Sequence, residues 1–384
     1  MRFAVDAHAI GRRLTGNEVY VRSLLNGFAA VDRESEFVAY LSTDEAEAWV
    51  PERFAVRRIA ANPFARLGCD FPLKLRWDRP DLLHVQYTAP LGCPVPVVVS
   101  VHDVSFLEHP QYFPFPRVAQ LRMTVRRTIQ TAARILTVSE FSRDAIAHAY
   151  NLDPDRIAVV HNAAAGCFHQ VRRGTAPNEV RQRFQIAAPF ILSVGDLQPR
   201  KNHVGLIEAF ARLARAFPQL PHQLVMAGKD TWFGGRVHEA ARRSGVGDRI
   251  RFLGFVSDDD LLQLYNACEV FCFPSFYEGF GLPVLEAMAC GAAVCCSNRT
   301  AVPEVADGAA LLFNPYDTDD LARAMLDLIQ LPELRARMGR LGMQRAAQFS
   351  WQKAAQKTLD VYYSVLEQSQ PARRTAVAAP LSLR

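Results

Sequence analysis

Two glutamates stand eight residues apart in SFYEGFGLPVLEAMACG, residues 275–291, with two glycines and a proline between them. Pro283 suits the first position of a helix, where its missing N–H costs nothing. Gly291 suits the position just past a helix end. PVLEAMAC then reads as about two helical turns, with Gly279 and Gly281 at the entrance and Glu286 inside. Helix entrances carry unpaired N–H groups and partial positive charge, so they bind anions, phosphate above all. A buried carboxylate on the same helix suits sugar hydroxyls. The pattern points to a phosphate and a polyol held together. The plainer alternative is a strand–turn–helix with surface glutamates.

Other segments offer matching chemistry. GDLQPRKN, residues 195–202, places Arg200 and Lys201 just before an expected helix. A forked guanidinium and a point-charge ammonium there suit a pyrophosphate. By itself the pair reads as a solvated basic turn, and the 278–286 segment tips it towards phosphate. Gly16, placed before the helix that follows the first strand, lets backbone approach a ligand closely or serves as an ordinary turn glycine. His102 ends the strand VPVVVSVHD and faces whatever lies beyond that strand end; the structural alternative has Asp103 capping the next turn. Glu304, in VPEVADG, reads as a helix cap or a surface acid. Residues 116–135 carry Arg117, Arg122, Arg126, Arg127 and Arg134 among apolar residues. They form either a solvated helix face or a membrane-facing amphipathic helix.

The elements that must position these groups follow from the hydrophobic pattern. FAVDAH, FVAYLS, LLHVQY, VPVVVSVHD, RILTVS and IAVVHNA read as strands, with helical stretches such as NEVYVRSLLNGFAAV and SRDAIAHAY between them. Ser139 or Ser142 supplies the cap of the latter. Such alternation indicates a parallel sheet covered on both faces. Residues 169–185 are polar and aperiodic, which places a domain junction there, and the alternation restarts at PFILSVG. The expected division is a Rossmann-like domain over 1–168 and a second over 169–349. A helix near 350–369 packs back on the first domain, and 370–384 form a disordered tail. Ligands of such sheets bind beyond the carboxyl ends of the strands, here in a deep cleft between two domains. No G-x-G-x-x-G follows the first strand, which argues against a dehydrogenase.

Bulk properties bound the function. The 384 residues are 49% hydrophobic and 22% charged, a globular balance, and exceed one ordinary core. A net charge of +5 fits anionic ligands or a membrane surface and does not argue nucleic acid. Eight irregularly spaced cysteines without C-x-x-C read as reduced thiols rather than disulfides or zinc ligands. The amino terminus does not read as a signal peptide, and no long apolar window spans a membrane, so a cytoplasmic enzyme is expected, peripheral on the inner membrane face if 116–135 docks there.

With these segments in hand, the chain resembles the family 4 glycosyltransferases of GT-B fold. The resemblance rests on TGNEVYVRSLL, VSVHDVSFLEHPQYF, LTVSEFSRDAI, SVGDLQPRKN, FLGFVSDDDLLQLYNACEVFCFPSFYEGFGLPVLEAMACG and VPEVADGAALLFNP, which span nearly the whole chain. VHDVSFLEHPQYF resembles bacterial enzymes that build cell-surface polysaccharide, often mannosyltransferases. The resemblance implies that Glu278 faces the donor sugar and that Glu286 holds the ribose hydroxyls. It implies a diphosphate held by Arg200 and Lys201, helped by backbone at Gly16 and at Gly279, Phe280, Gly281 and Leu282. It places His102 against the donor sugar from the opposite domain, and the base near Phe255 and Val256. Asp196 replaces the arginine common in relatives, and Asn17-Glu18 replaces Gly-Arg, which weakens any side-chain phosphate contact from that loop.

The implied reaction moves a hexosyl group, mannose from GDP-mannose by preference, to a glycan or lipid-linked acceptor. It retains the anomeric configuration and needs neither metal nor cofactor, since no D-x-D pair stands at an obvious strand end. The alternatives are a UDP-sugar donor, a sugar-nucleotide epimerase, and a catalytically silent nucleotide-sugar-binding partner.

Overall fold

The computed structural model describes residues 1–12, 15–172, 175–186 and 189–369. The expected tail, 370–384, lies outside the described residues, as do Arg173 and Gly174 of the expected junction. Two sheets organise the chain. The first has seven strands: β1 (Arg2–Asp6), β2 (Glu36–Leu41), β3 (Ala55–Arg58), β4 (Leu82–Gln86), β5 (Val97–Ser100), β6 (Arg134–Thr137) and β7 (Ile157–Val159), in the order β3-β2-β1-β4-β5-β6-β7. The second has six: β8 (Phe190–Val194), β9 (Gln223–Ala227), β10 (Ile250–Gly254), β11 (Val270–Phe273), β12 (Val294–Ser297) and β13 (Leu311–Phe313), in the order β10-β9-β8-β11-β12-β13. All described pairings are parallel. Strands such as β5 and β11 are buried at every position, because helices cover both faces. Each sheet reverses its winding beside its first strand, at β1/β4 and at β8/β11, which opens a crevice at the carboxyl ends.

The structure corrects several sequence expectations. β3 was not foreseen: AVRR is a half-exposed edge strand, and its two arginines hide the apolar signal. The polar stretch after residue 169 contains a helix, Thr175–Phe184, which packs on Asp258–Ala267 through few apolar positions, Ala176 and Val180 among them. Gly16 lies inside the first turn of the Thr15–Val31 helix rather than before it. Pro283 is the second residue of the Leu282–Ala289 helix, because Gly281, at φ 109°, forms the entrance and Leu282 the first helical position. The basic helix runs Phe115–Thr131, so Arg134 belongs to β6. A helical segment without strong sequence signal covers 63–78: Asn62 caps Pro63–Ala65, a π turn follows over Arg66–Asp70, and Phe71–Asp78 completes it.

The final described helix, Trp351–Ser369, lies against Thr15–Val31. Its Trp351, Leu359, Tyr362 and Val365 share a core with Phe3, Phe28 and Phe37 of the first sheet's domain. All eight cysteines are free, with Cys272, Cys290, Cys295 and Cys296 buried around the second sheet. No described helix is long and apolar enough to cross a membrane.

Candidate active site

A cavity of about 490 Å³ lies between the two sheets at their carboxyl ends. It brings together every residue that the sequence singled out for the site: Gly16 and His102 from the first domain, and Arg200, Lys201, Val256, Glu278, Gly279, Phe280, Gly281, Leu282 and Glu286 from the second. Each stands just beyond a strand or at a helix entrance, except Glu286, which lies inside the Leu282–Ala289 helix. Arg200 and Lys201 occupy a single 3-10 turn after β8, Val256 follows β10, and Glu278 follows β11.

Glu278 sits between the two cations. Its Oε2 accepts from Arg200 Nη1 at 2.9 Å and its Oε1 from Lys201 Nζ at 2.6 Å. Arg200 Nη1 also donates to Tyr277 O at 3.1 Å, and Lys201 Nζ lies 4.9 Å from the Phe273 ring centroid, so both heads are fixed. Burial works to raise the Glu278 carboxyl, but Lys201 and Arg200 outweigh it and hold the group at about 2. Burial lowers Lys201, and Glu278 only partly offsets it, while Glu278 and Asp103 overcome burial at Arg200 and keep its guanidinium firmly charged. The cluster therefore carries two positive charges and one negative, a surplus cation at the mouth of a helix.

Glu286 has no such partners. Its Oε2 accepts from the Tyr265 hydroxyl at 3.0 Å, and burial pushes its carboxyl up to about 7, with Asp258 adding to the rise and Arg22 opposing it. A raised carboxyl pKa means that the folded chain resists ionising this group. Its stability contribution is intact at low pH and is lost as pH climbs from the ordinary carboxyl range through about 7. Glu286→Gln, neutral throughout, is therefore expected to raise stability at about pH 8 by up to roughly 3 kcal/mol, with the gain fading by about pH 5. Thermal melts of both proteins across that range check it. A stability difference that does not change with pH would mean that Glu286 ionises freely in the folded chain.

His102 stands on the facing wall. Its Nε2 donates to Gln86 Oε1 at 3.1 Å, and its ring meets Tyr20 and Tyr87 edge-on, at centroid distances of 4.5 and 5.5 Å. Burial lowers its pKa to about 4, so it is neutral at physiological pH. Asp103 Oδ1 accepts from Ser105 N at 2.9 Å and from Ser105 Oγ at 2.5 Å, which ties it to the turn that follows, whose cap position is Val104. Tyr87, at φ 58°, is a bulky side chain in left-handed backbone at the cavity edge. Only its place at a strand end marks it in sequence; Arg22, inside the Thr15–Val31 helix, and Asp258, at the entrance of the Asp258–Ala267 helix, pair across the cavity at 2.5 Å.

Gly279 is a glycine because the first domain approaches it. A Cβ there would lie 2.2 Å from the His102 carbonyl oxygen. Its own carbonyl accepts from Ser139 Oγ at 2.7 Å, and Ser142 Oγ lies 3.1 Å from it and 2.9 Å from His102 O. Glu304 is a helix cap, but for the other domain. Its carboxylate accepts from Glu140 N at 3.0 Å and Phe141 N at 3.3 Å, and pairs with His161 Nε2 at 3.0 Å. Around the first strand's loop, Glu18 Oε1 accepts from Gly11 N at 3.0 Å and so braces that loop, while Asp196 Oδ1 accepts from Lys229 N at 3.1 Å.

Two Rossmann-like domains closed over such a cavity define a GT-B protein. Residues 178–345 match the family of glycosyl transferases group 1, and residues 14–164 match glycosyltransferase family 4. The chain belongs to these glycosyltransferases. It is 36% identical over 267 residues to O-antigen chain mannosyltransferase B of Escherichia coli, with 69% of each chain covered. It is 30% identical over 290 residues to the serotype-specific mannosyltransferase WbdA of Escherichia coli; the match covers 72% of this chain and 34% of WbdA, so it spans about a third of that relative. Among solved structures, Anabaena Alr3699/HepE in complex with UDP-glucose superposes with a TM-score of 0.76 at 21% identity, covering 95% of this chain and 100% of that one.

Proposed function

We propose that the chain transfers a hexosyl group, mannose from GDP-mannose, to a glycan or lipid-linked glycan acceptor in cell-surface polysaccharide synthesis, with retention of configuration and without a metal. The observation that carries this reading is the Arg200–Glu278–Lys201 cluster, with Glu278 buried between the two cations at the entrance of the Leu282–Ala289 helix, sharing one cavity with Glu286. The names of the mannosyltransferase relatives support the choice of sugar.

Cleavage of the bond between the anomeric carbon and the nucleoside diphosphate leaves negative charge on the departing phosphate. The contacts to Glu278 leave the guanidinium and ammonium with further N–H groups, and these stabilise that charge as it develops. The N–H groups at Gly281 and Leu282 add to them. This is work that a divalent ion performs in other transferases. Glu278 keeps both cations in place before the donor arrives and offers negative charge to a sugar that turns electron-poor at its anomeric carbon. Glu286 accepts from the ribose hydroxyls. Neutral His102 is a hydrogen-bonding partner for the sugar from the opposite wall rather than an acid. Of the nearby cavity carboxylates among the described residues, Asp103 is tied to Ser105 N and Glu286 to Tyr265, so neither is assigned as a nucleophile: the acceptor oxygen attacks from the leaving-group side and the leaving phosphate takes its proton.

One assay tests these parts separately: GDP-mannose with an oligomannoside acceptor in excess EDTA, with the product's anomeric centre read by NMR. The expected result is transfer undiminished by chelator, with the α configuration kept. Loss of activity restored by magnesium or manganese would overturn metal independence. An inverted product would overturn retention. Turnover of UDP-sugars alone would replace the donor, and an epimerised sugar formed without acceptor would replace the reaction.

A further inference from the structure

We propose that Gln86 is a positioning residue for His102: by accepting the proton on Nε2 it fixes the imidazole in one tautomer, and so presents Nδ1 to the cavity as a bare acceptor for a sugar hydroxyl. The sugar contact rests on the proposed function; the tautomer does not.

The two side chains meet because their strands are neighbours. β4 and β5 pair in parallel with Gln86 beside Ser100, and His102 follows two residues later. Gln86 is buried, and its Oε1 lies 3.1 Å from His102 Nε2. A neutral imidazole has one N–H and one lone pair. A lone pair on Nε2 would set two acceptors against each other at that distance. Nε2 therefore carries the proton and Nδ1 does not.

The surroundings keep the ring neutral and still. Burial holds it uncharged against the pull of Asp103. Burial also keeps the neighbouring His84 neutral, at about 3, and the Tyr20 and Tyr87 hydroxyls protonated. The charges across the cavity, Arg200, Lys201 and Glu278, are paired with one another. Tyr20, whose ring lies edge-on to His102, is itself tethered. Its hydroxyl lies 2.7 Å from Ser100 Oγ, which lies 2.7 Å from His84 Nε2, and His84 Nδ1 lies 2.5 Å from Tyr362 OH of the final helix. A buried run of polar groups thus braces the wall on which His102 stands.

Gln86 itself gains little stability from its amide. Its Nε2 is buried without a hydrogen-bond partner among the described residues. An unpaired buried N–H is a cost that an apolar side chain of equal length would avoid. The Oε1 contact to His102 is what the amide supplies. His102 Nδ1 in turn has no partner among the described residues, on a ring that lines the cavity. Arg200 and Lys201 only donate, so an uncharged acceptor on the facing wall gives a sugar hydroxyl a place for its proton.

The test is long-range proton–nitrogen NMR of the isotope-labelled full chain, with His102 identified by its loss in His102→Gln, together with kinetics across pH. In the parent, Nε2 should be protonated and Nδ1 bare. Gln86→Met keeps the length and removes the carbonyl. It should mix the tautomers and lower kcat about tenfold with donor saturating, while the melting temperature holds or rises as the unpaired N–H goes. Gln86→Glu should act through pH. A carboxylate against Nε2–H raises the His102 pKa from about 4 towards neutrality, and an imidazolium carries a proton on Nδ1 as well. Its kcat should therefore be depressed at about pH 6 and recover by about pH 8, a rise that the parent lacks. Saturating donor keeps the ionisation of Glu286, which acts through KM, out of the comparison. A parent ring protonated on Nδ1 overturns the proposal, as does a Gln86→Met chain that melts earlier with kcat unchanged. So does a Gln86→Glu profile that follows the parent's. The expected tautomer in a chain that moves no sugar would uphold the positioning and sink the proposed function.

Discussion

Arg200→Ala and Lys201→Ala are each expected to lower kcat/KM about a hundredfold or more, because each removes a donor aimed at charge that grows in the transition state. The structure adds a second cost. Either change leaves Glu278 with one cation where it now has two. The carboxylate is buried, so its pKa should climb from about 2 towards the ordinary range and above. Arg200→Lys separates the two effects: it keeps the charge but loses the planar guanidinium, whose Nη1 meets Glu278 and Tyr277 O while its Nε donates to Gln198 Oε1. Steady-state kinetics on folded protein decide. A loss under about tenfold, roughly 1.4 kcal/mol, would remove both residues from the transition state.

The two glutamates should fail in different ways. Glu286→Gln should mainly raise KM for the donor, since a contact to the ribose is similar in ground and transition states. Glu278→Gln should mainly lower kcat with donor saturating, since a carboxylate beside the anomeric carbon matters most when that carbon is electron-poor. Glu278→Gln also leaves the partly buried Arg200 and Lys201 facing each other without the carboxylate that bridges them. The unliganded variant should therefore melt earlier than the parent, and inorganic pyrophosphate should recover part of the difference. If Glu278→Gln changes KM alone, or both variants match the parent, the pair is structural.

Much of this was legible in sequence for a physical reason. Buried parallel strands and helix entrances are local signals, and most candidate site residues lie at or just beyond one, with Glu286 a turn further into its helix. The relations between distant segments were not legible. Glu278 meets its two cations across 78 and 77 residues of chain. A glycine at 279 announces close approach, but only the fold shows that the approaching group is the His102 carbonyl. Glu304 reads in sequence as a helix cap or a surface acid, and only the fold shows that it caps a helix of the other domain. The short helix Thr175–Phe184 and the edge strand β3 escaped because each buries few apolar residues, too few to set a period. The exposed Phe64 and Trp77 sit in a segment whose π turn breaks helical spacing.

The Glu140–Tyr150 helix has its entrance completed jointly. Ser139 of its own domain accepts from Ser142 N, while Glu304 of the other domain accepts from Glu140 N and Phe141 N. The two halves are therefore not interchangeable cartridges. A hybrid that takes its second domain from a relative would inherit this helix with its free N–H groups facing a foreign surface. It would close properly only if the grafted half presents a carboxylate where Glu304 stands and a bare glycine carbonyl where Gly279 stands. Swapping specificity by exchanging halves then becomes a question of matching one small seam, and the seam residues should travel with the half to which they belong.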